Sequence, residues 1–324
     1  MLIEAKEEVW PLKQLFRISR GSRSEAGVVV VTVTDGQHTG RGEAVPIARY
    51  NQSVASVLEQ IESIKREKNL DRHQLQQLLR AGAARNALDC ALWDLEAKIS
   101  GKRVWELANV AIAAEVITSF TISLDTPAAM TAAAKANPSA PILKLKLGGD
   151  DVDLARVEAV HEAAPAARLL VDANESWSPS HYQKIVPALK ELGVELIEQP
   201  FPADADEVLE TLDHPVPVCA DESCHTTADL PRLTNRYEMV NIKLDKTGGL
   251  TEALLLTKRA REIGLKLLIG CMVCTSLSIA PARLLASAAD YVDLDGPLLL
   301  TRDRDHAVAY DNGRVGVPPR ELWG

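Results

Sequence analysis

Charged side chains recur at a regular interval through the middle of the chain, where a buried strand would normally end in an apolar residue. These residues are Lys146, Asp172, Glu198, Asp221 and Lys246. They are separated by 26, 26, 23 and 25 residues, which is the length of one strand followed by one helix. In a barrel of parallel strands the carboxyl ends of all strands open at one mouth, where active sites form. The spacing therefore predicts an active site to which successive strands each contribute one group.

The three acids in this series have the chemistry of a magnesium site. Asp172, Glu198 and Asp221 would offer carboxylate oxygens from three consecutive strands. Mg2+ takes such hard ligands and keeps its other positions for water and substrate. A single acid at this place more often caps the helix that follows. Three acids in the same register favour the metal site.

Lysines at the same mouth are suited to moving protons. Lys144 and Lys146 in ILKLKL face one side of a strand, a costly position for buried ammonium groups without an anionic neighbour. Lys246 follows a strand half a barrel away, so we expect Lys146 and Lys246 to face each other across the mouth. A lysine acts as a base if its pKa falls ~3 units from about 10.4, and a nearby dication and second lysine favour that fall.

Two further groups are suited to binding the charges of a substrate. Asp293 and Asp295 in YVDLDGP lie on one face of the last predicted strand, and we interpret them as a site for a substrate ammonium. A second metal, or acids that merely shape a turn, are the alternatives. Arg20 and Arg23 lie in the predicted loop RISRGSRSEAG, where either could bind a substrate carboxylate through its planar guanidinium. A solvated basic loop is the alternative.

Strands and helices alternate from about residue 116 onward, as required to bring these groups together. The eight candidate strands are VITSFTIS, ILKLKL, RLLVDAN, LIEQPF, PVCADES, MVNIKLDK, LKLLIGC and YVDLDGP. Helical patterns between them predict parallel strands joined by right-handed crossovers. The first third of the chain predicts an α+β unit, with a strand at VVVVTVTDG and helices near 53–65 and 83–99. The apolar stripe of the second helix is predicted to pack against another domain.

Composition excludes several classes of function. The chain has 324 residues and a formal net charge of −9, so we expect binding neither to nucleic acid nor to a membrane. The start MLIEAKEEVW lacks the basic flank and apolar run of an export signal. The five cysteines include the C-x-x-C pair Cys271 and Cys274, but their spacing predicts neither a disulfide framework nor a zinc site. We therefore expect a cytoplasmic protein with a small-molecule substrate.

Several motifs resemble those of a known family. LKLKL, VDAN, IEQP, ADES and IKLDKTGG are similar to the muconate-lactonizing subgroup of the enolase superfamily. Longer blocks resemble the bacterial L-Ala-D/L-Glu epimerases within it: GSRSEAGVVVV, AGAARNALDCALWDLEAK, VDANESW, RYEMVNIKLDKTGGLTEAL, IGCMVCTS and ADYVDLDGP. The resemblance covers nearly the whole chain. It implies an α/β fold, a modified TIM barrel of (β/α)7β type with an N-terminal α+β capping domain. The expected division is a capping domain of residues 1–115, joined by 312–324, and a barrel of residues 116–311.

The resemblance also assigns roles at the mouth. It implies one Mg2+ per subunit held by Asp172, Glu198 and Asp221, with Glu222 beside these ligands, and acid/base roles for Lys146 and Lys246. The implied substrate contacts are an ammonium site at Asp293 and Asp295, a glutamyl carboxylate site at Arg20, and a pocket wall formed by Thr121, Lys144 and Cys271.

The implied reaction inverts the α-carbon of the second residue of a dipeptide, between L-Ala-L-Glu and L-Ala-D-Glu. One lysine would remove the α-proton, Mg2+ would stabilise the enediolate, and the other lysine would return a proton to the opposite face. Murein peptide degradation is the implied biological role, and a homo-oligomer is possible. The alternatives are a cycloisomerase, an o-succinylbenzoate synthase, an epimerase of other dipeptides, or a barrel that binds a metabolite without catalysis.

Overall fold

The N-terminal part of the protein is a twisted antiparallel sheet covered by helices. A computed structural model describes residues 1–67 and 70–324. The sheet has the order β1-β2-β3, formed by Leu2–Ile18, Gly21–Thr34 and Thr39–Ala44. The valines of β2 alternate between two cores, because successive strand residues face opposite sides. Val29, Val31 and Val33 pack under the N-terminal helices, whereas Val28 and Val30 join the barrel core.

Helices cover one face of this sheet. They are α1 (Val54–Ile64), α2 (Arg72–Leu78), α3 (Ala83–Ser100) and α4 (Val104–Leu107). Of these helices, α1 and α3 were predicted from the sequence. The apolar stripe of α3 that includes Leu88 and Leu92 packs against the N-terminal sheet, not against another domain as predicted. The opposite side of α3, with Cys90 and Trp93, contacts the barrel core instead.

The barrel has eight parallel strands in sequential order, as the alternating pattern predicted. After β4 (Glu115–Ile117) they are β5 (Phe120–Ile122), β6 (Ile142–Lys146), β7 (Arg168–Asp172), β8 (Val194–Glu198), β9 (Val218–Ala220), β10 (Met239–Ile242), β11 (Lys266–Gly270) and β12 (Tyr291–Asp293). The first and last strands meet where the Ser119 N–H donates to the Val292 carbonyl at 2.8 Å. The floor of the barrel is an apolar cluster from six strands: Ile142, Leu170, Leu196, Cys219, Met239 and Leu268.

Helices surround the barrel on its outer side. They are α5 (Pro127–Ala136), α6 (Asp153–Ala163), α7 (Pro179–Glu191), α8 (Leu230–Leu233), α9 (Leu244–Thr247), α10 (Leu250–Glu262) and α11 (Ser276–Arg283). A 3-10 helix, Asp206–Thr211, follows β8, and another, Gly296–Leu299, follows β12. This arrangement confirms the predicted fold class. Within the described residues, no helix is both long and apolar enough to cross a membrane.

The end of the chain returns to the N-terminal part. Strand β14 (Arg314–Gly316) pairs with β4 on one side and with β13 (Tyr310–Asp311) on the other. Beyond it, the Trp323 indole N–H donates to the Cys90 carbonyl at 3.0 Å, and the Gly324 N–H donates to the Asp94 carboxylate at 2.7 Å. These contacts join residues 323 and 324 to α3, and the assignment of residues 312–324 to the capping domain stays a prediction. The division at residues 115 and 116 stays a prediction.

Candidate active site

The charged residues predicted from their spacing meet at the carboxyl ends of the barrel strands. Lys146 lies beside Asp172 in the register of β6 and β7, and Asp172 lies beside Glu198 in that of β7 and β8. A cavity of about 90 Å³ lies at this end of the barrel; Lys146 lines it, whereas Asp172 and Glu198 are buried and are not among its lining residues. Its polar walls include Arg20, Arg23, Thr121, Lys144, Lys146, Asn174, Asp221, Glu222, Lys243, Cys271, Asp293 and Asp295. Strand parity explains this convergence, because side chains two residues apart point to the same interior.

The three acids predicted to bind Mg2+ are buried together. Burial opposes ionisation of Asp172, but the ammonium groups of Lys146 and Lys144 outweigh it and lower the pKa to about 2. Burial raises the pKa of Glu198, and the charge of Asp172 raises it further. Burial likewise opposes ionisation of Asp221, but nearby Lys243 outweighs it and holds the pKa low. The site therefore concentrates negative charge that requires a cation.

Lysine ammonium groups supply that positive charge in this structure. Lys144 lies 2.6 Å from Glu198 and 3.4 Å from Asp172, and Lys146 lies 2.5 Å from Asp172. Across residues 1–67 and 70–324, no three His, Cys, Asp or Glu side chains form a ready metal-binding group. The carboxylates nevertheless provide the hard oxygen donors that Mg2+ prefers, from neighbouring strands. The residues present fit this ion, with the lysines as its competitors for the same oxygens.

The lysine that faces the cavity just after β10 is Lys243, which was not predicted as a site residue. Its Nζ lies 2.7 Å from Asp221 Oδ2 and 3.8 Å from Glu198 Oε1. Burial favours its neutral amine, but Asp221 and Glu198 outweigh burial and hold the pKa of Lys243 above its usual range. The alternation of inward and outward side chains along MVNIKLDK could have identified it. Met239 and Asn241 face the barrel interior, and residue 243, two positions further on, is expected to face the same way.

The position of Lys246 corrects the sequence-based expectation. The chain turns into α9 after β10, and Lys246 lies in this short helix. Its Nζ donates to the Asp221 carboxylate at 2.7 Å, to the Asp221 carbonyl and to the Asn241 carbonyl at 2.9 Å. Lys246 is not among the described residues that line the cavity. Its side chain is fully buried and holds Asp221 in place through these contacts. Lys246 therefore does not face Lys146 across the mouth.

Asp293 and Asp295 lie next to each other on the cavity wall formed by β12. Asp293 is bound by the Ser119 hydroxyl at 2.6 Å and the Lys144 ammonium at 2.7 Å. Asp295 accepts the Thr121 N–H at 2.6 Å. Burial and the neighbouring charge of Asp293 raise the pKa of Asp295 to about 7. The two acids thus differ in charge environment, because Lys144 forms an ion pair with Asp293 and not with Asp295. Their ammonium-binding role stays a prediction.

The turn between β1 and β2 reaches over the barrel mouth. Its chain is held by loops that follow two barrel strands: the Arg17 N–H donates to Ser123 Oγ at 2.7 Å, and Ser19 Oγ donates to the Asn174 carbonyl at 3.0 Å. Arg20 and Arg23 both reach the cavity from this turn. The hairpin therefore forms the roof of the site, as expected for a capping domain.

Other predicted residues lie where the sequence placed them. Glu222 follows Asp221, and burial together with the charges of Asp221 and Asp172 raises its pKa to about 7. Cys271 is partly exposed in the cavity wall, whereas Cys274 is buried. Both cysteines are free thiols in this structure.

Two family comparisons together cover almost the whole chain. Residues 3–108 match the mandelate racemase / muconate lactonizing enzyme N-terminal domain, and residues 103–321 match the enolase C-terminal domain-like family. The chain belongs to the enolase superfamily, in the group of mandelate racemase and muconate lactonizing enzymes. The resemblance of the sequence motifs is thereby confirmed.

Curated relatives in this group include racemases and epimerases. The chain is 48% identical over 302 residues to an N-acetyl-D-glutamate racemase of a Pseudoalteromonas species, covering 92% of this chain and 95% of that protein. It is 47% identical over 317 residues to the L-Ala-D/L-Glu epimerase of Escherichia coli strain K12, covering 97% and 98%. Both relatives act on a glutamate derivative according to their names.

Solved structures of the same group contain dipeptides. An enolase family member from Agrobacterium tumefaciens, with bound sodium and L-Ala-L-Glu, is 47% identical with a TM-score of 0.97, covering 99% of each chain. A dipeptide epimerase from Enterococcus faecalis V583, complexed with Mg and L-Leu-L-Tyr, is 28% identical with a TM-score of 0.91, covering 98% of this chain and 96% of that chain.

Proposed function

We propose that this protein is a Mg2+-dependent dipeptide epimerase that interconverts L-Ala-L-Glu and L-Ala-D-Glu. One observation carries the proposal. Lys146 and Lys243 line the same cavity, and each is bound to a different member of one buried group of acids, Asp172 and Asp221 respectively. Two lysines at one cavity support a reaction in which each serves as the base for one face of the substrate. Relatives that act on L-Ala-D/L-Glu and a neighbour with bound L-Ala-L-Glu support the choice of substrate.

Asp172, Glu198 and Asp221 would hold the ion, one per subunit. When bound there, Mg2+ supplies positive charge that favours negative charge on the carboxylate of the substrate. The acids are already fixed for this purpose, because Lys246 anchors Asp221 and Asn241 donates to Glu198 at 2.8 Å. Fixed ligands avoid reorganisation at the moment of reaction.

Lys146 and Lys243 would exchange the proton on the α-carbon of the second residue. A neutral amine on one side removes the proton, and the ammonium on the other side donates one to the opposite face. Negative neighbours hold the pKa of Lys243 high in this structure. Positive charge at the same carboxylates would reverse that influence and favour the neutral amine.

The remaining cavity residues would bind the rest of the dipeptide. Asp295, with Asp293 beside it, would accept the terminal ammonium, and Lys144 would keep Asp293 ionised. Thr121 and Cys271 would form the adjoining wall. A substrate of this kind is a product of murein peptide breakdown, and we propose that the protein serves that degradation inside the cell.

A second candidate is racemisation of an N-acyl glutamate. Such a molecule keeps the α-carbon, the two carboxylates and the amide of L-Ala-Glu but has no ammonium. Asp295, whose carboxyl pKa is raised to about 7, is compatible with an uncharged acyl group when protonated. The N-acetyl-D-glutamate racemase relative points to the same possibility.

Proton exchange in D2O tests the two-base proposal. The protein with Mg2+ would be incubated separately with L-Ala-L-Glu and L-Ala-D-Glu, and NMR would follow both the glutamyl α-proton and the appearance of the other epimer. We expect exchange with inversion. In Lys146→Ala and in Lys243→Ala, inversion should fall by about three orders of magnitude or more, within the scale for acid–base groups that act together.

The stereochemistry of the residual exchange distinguishes the two lysines. Each variant should still exchange the α-proton of one epimer without inversion, and the two variants should do so for opposite epimers, because each keeps one base. Lys184→Ala is the matched control, since this exposed lysine of α7 forms an ion pair with Asp151 at the protein surface. Normal inversion in Lys243→Ala would refute its role. No exchange of either dipeptide or of N-acetylglutamate by the unmodified protein would refute both candidate functions.

A further inference from the structure

A second and larger cavity lies beside the first strand of the barrel, between β5 and α5. Its volume is about 520 Å³, compared with about 90 Å³ for the cavity at the barrel mouth. In a complete (β/α)8 barrel every strand is followed by a helix, and the helices form a closed outer ring. Here β12 is followed by a short 3-10 helix and then by β13, and residues of both line this cavity. The described chain thus leaves a space along α5, which we call the α5 groove.

The α5 groove is lined mostly by uncharged side chains. Ala129, Ala133 and Ala136 of α5 line it, and their small side chains leave space that larger residues would fill. Ile122 and Met130 also line it and belong to the buried core. The three charged residues of the described lining are all exposed: Lys13, Asp125 and Asp311. The groove therefore favours an uncharged ligand with an apolar surface, because a charged group inside it would lack a buried partner.

The α5 groove and the active-site cavity share a wall. Phe16, Thr121 and Leu299 line both of them. Phe16 follows a segment of β1 whose pairing with β2 is irregular. Phe16 and Leu299 are partly buried and pack against the same small apolar cluster. Part of the partition between the two cavities thus consists of side chains, which can open a passage by changing rotamer.

The shared wall lies beside the place that we assign to the amino end of the substrate. Asp295 accepts the Thr121 N–H at 2.6 Å. The 3-10 helix that begins directly after Asp295 ends at Leu299. A group attached to the substrate nitrogen therefore lies next to the shared wall, and an extension of that group leads toward the α5 groove.

We propose that the α5 groove binds the acyl chain of an N-acyl glutamate, so that glutamates with acyl chains longer than acetyl are a further class of substrate for this active site. The proposal rests on the proposed function, in the form in which the substrate nitrogen carries an acyl group. The glutamate part stays at the barrel mouth, and the chain passes between Phe16 and Leu299. A dipeptide keeps its ammonium at the wall of β12 and does not enter the groove.

A series of acyl chains tests this proposal. N-acetyl-, N-butanoyl- and N-hexanoyl-L-glutamate would be assayed with Mg2+ for inversion and for exchange of the α-proton in D2O. Each methylene that enters the groove should raise kcat/KM by up to about fourfold, because burial removes its apolar surface from water. Calorimetric binding of the same three compounds gives a readout independent of turnover, in which affinity should rise with chain length.

Variants of α5 locate the binding of the chain. In Ala133→Phe, which fills the groove, the rise with chain length should disappear. L-Ala-L-Glu and N-acetylglutamate should change by less than about threefold in this variant, because they do not reach the groove. Ala129→Leu, at an exposed position of the groove, should weaken the rise and serves if Ala133→Phe does not fold. Ala132→Phe is the matched control, since Ala132 is exposed on the same helix but is not among the described residues that line the groove.

The outcomes separate this proposal from the proposed function. Equal kcat/KM and affinity for all three chain lengths, or the same rise in the groove variants, would overturn the role of the groove while proton exchange stands. A changed oligomeric state of Ala133→Phe in light scattering, with an unchanged rise, would overturn it by assigning the groove to contact between copies of the chain. Exchange of L-Ala-L-Glu without exchange or binding of any N-acyl glutamate would overturn it and leave the dipeptide function intact. Exchange of none of these compounds would refute the proposed function itself.

Discussion

Replacing Asp295 by asparagine should separate dipeptide epimerisation from N-acylglutamate racemisation. The change removes one possible negative charge and keeps the shape of the side chain. An asparagine oxygen can still accept the Thr121 N–H, which Asp295 accepts at 2.6 Å. Asp293 and its contacts with Ser119 and Lys144 are left in place. The substitution therefore acts mainly on the charge offered to a substrate ammonium.

The expected loss follows from the hydrogen bond that the ammonium would make. A hydrogen bond to a charged group contributes about 1.5–3 kcal/mol, and a loss of ~2 kcal/mol corresponds to about 30-fold in kcat/KM. L-Ala-L-Glu should suffer this loss in Asp295→Asn. N-acetylglutamate has no ammonium, so its turnover should change less than about threefold or improve, because the buried charge is removed.

The pH dependence provides a second readout. Burial and Asp293 raise the pKa of Asp295 to about 7, so the ionised form that binds an ammonium increases as pH rises through this value. The ratio of kcat/KM for the unmodified protein over Asp295→Asn should therefore rise with pH between about 6 and 8 for L-Ala-L-Glu. Dividing the two profiles removes the pH dependence that the two proteins share. For N-acetylglutamate the ratio should stay flat or fall.

Steady-state assays of both substrates, with epimers resolved by chromatography, check this prediction. Equal losses for the dipeptide and for N-acetylglutamate would refute the reasoning, because they would indicate a structural role for Asp295. A dipeptide loss below threefold would also refute it. In that case the ammonium must be bound elsewhere.

Two further predictions concern the metal and the packing of the capping domain. Adding Mg2+ at about 100 times its Kd should stabilise the protein by about 2.7 kcal/mol, and Asp172→Asn should reduce the resulting rise in Tm measured by calorimetry. Gly42→Ala should lower stability by about 3 kcal/mol in denaturant unfolding, because the added Cβ would lie 2.1 Å from the Ala87 carbonyl oxygen of α3. Gly27→Ala, whose Cβ would lie 3.7 Å from its nearest neighbour, is the control and should change stability little. An unchanged Mg2+ response in Asp172→Asn, or equal effects of the two alanines, would contradict these predictions.

Much of the barrel was predictable because each strand can be recognised from a short stretch of sequence. Each strand is a short apolar run, and each carries its functional group near its end, so the positions of Asp172 and Glu198 followed from the sequence alone. The error at Lys246 arose where the strand pattern continued past the real strand. Strand β10 ends at Ile242, and the chain then enters α9. The alternation of side chains along the strand therefore decides which lysine faces the cavity, and the interval of 25 residues from Asp221 does not.

Contacts between distant parts of the chain were not predictable in the same way. Arg20 and Glu222 are separated by 202 residues, and the sequence does not show that they pair. From the residues alone either Arg20 or Arg23 could bind a carboxylate, and only the resemblance favoured Arg20. The sequence also did not show which side of α3 packs against the N-terminal sheet, because apolar residues occur on both sides of this helix. Gly40 and Gly42 on β3 decide this packing, since they allow the backbone of the helix to approach the sheet.

Under the proposed function, the ion pairs that the lysines form with the acids would connect metal binding to proton transfer. Asp172 and Asp221 are buried anions, and a buried anion without a cation is strongly unfavourable. Lys146 and Lys243 provide that cation in this structure, at 2.5 and 2.7 Å. The same oxygens cannot fully serve a lysine and a divalent ion at once. Asp221 and Glu198 hold the pKa of Lys243 above its usual range, and a divalent cation that neutralised these acids would remove that influence. In the proposed epimerase, binding of the ion would thus control proton transfer at Lys243, a residue that does not itself bind the ion.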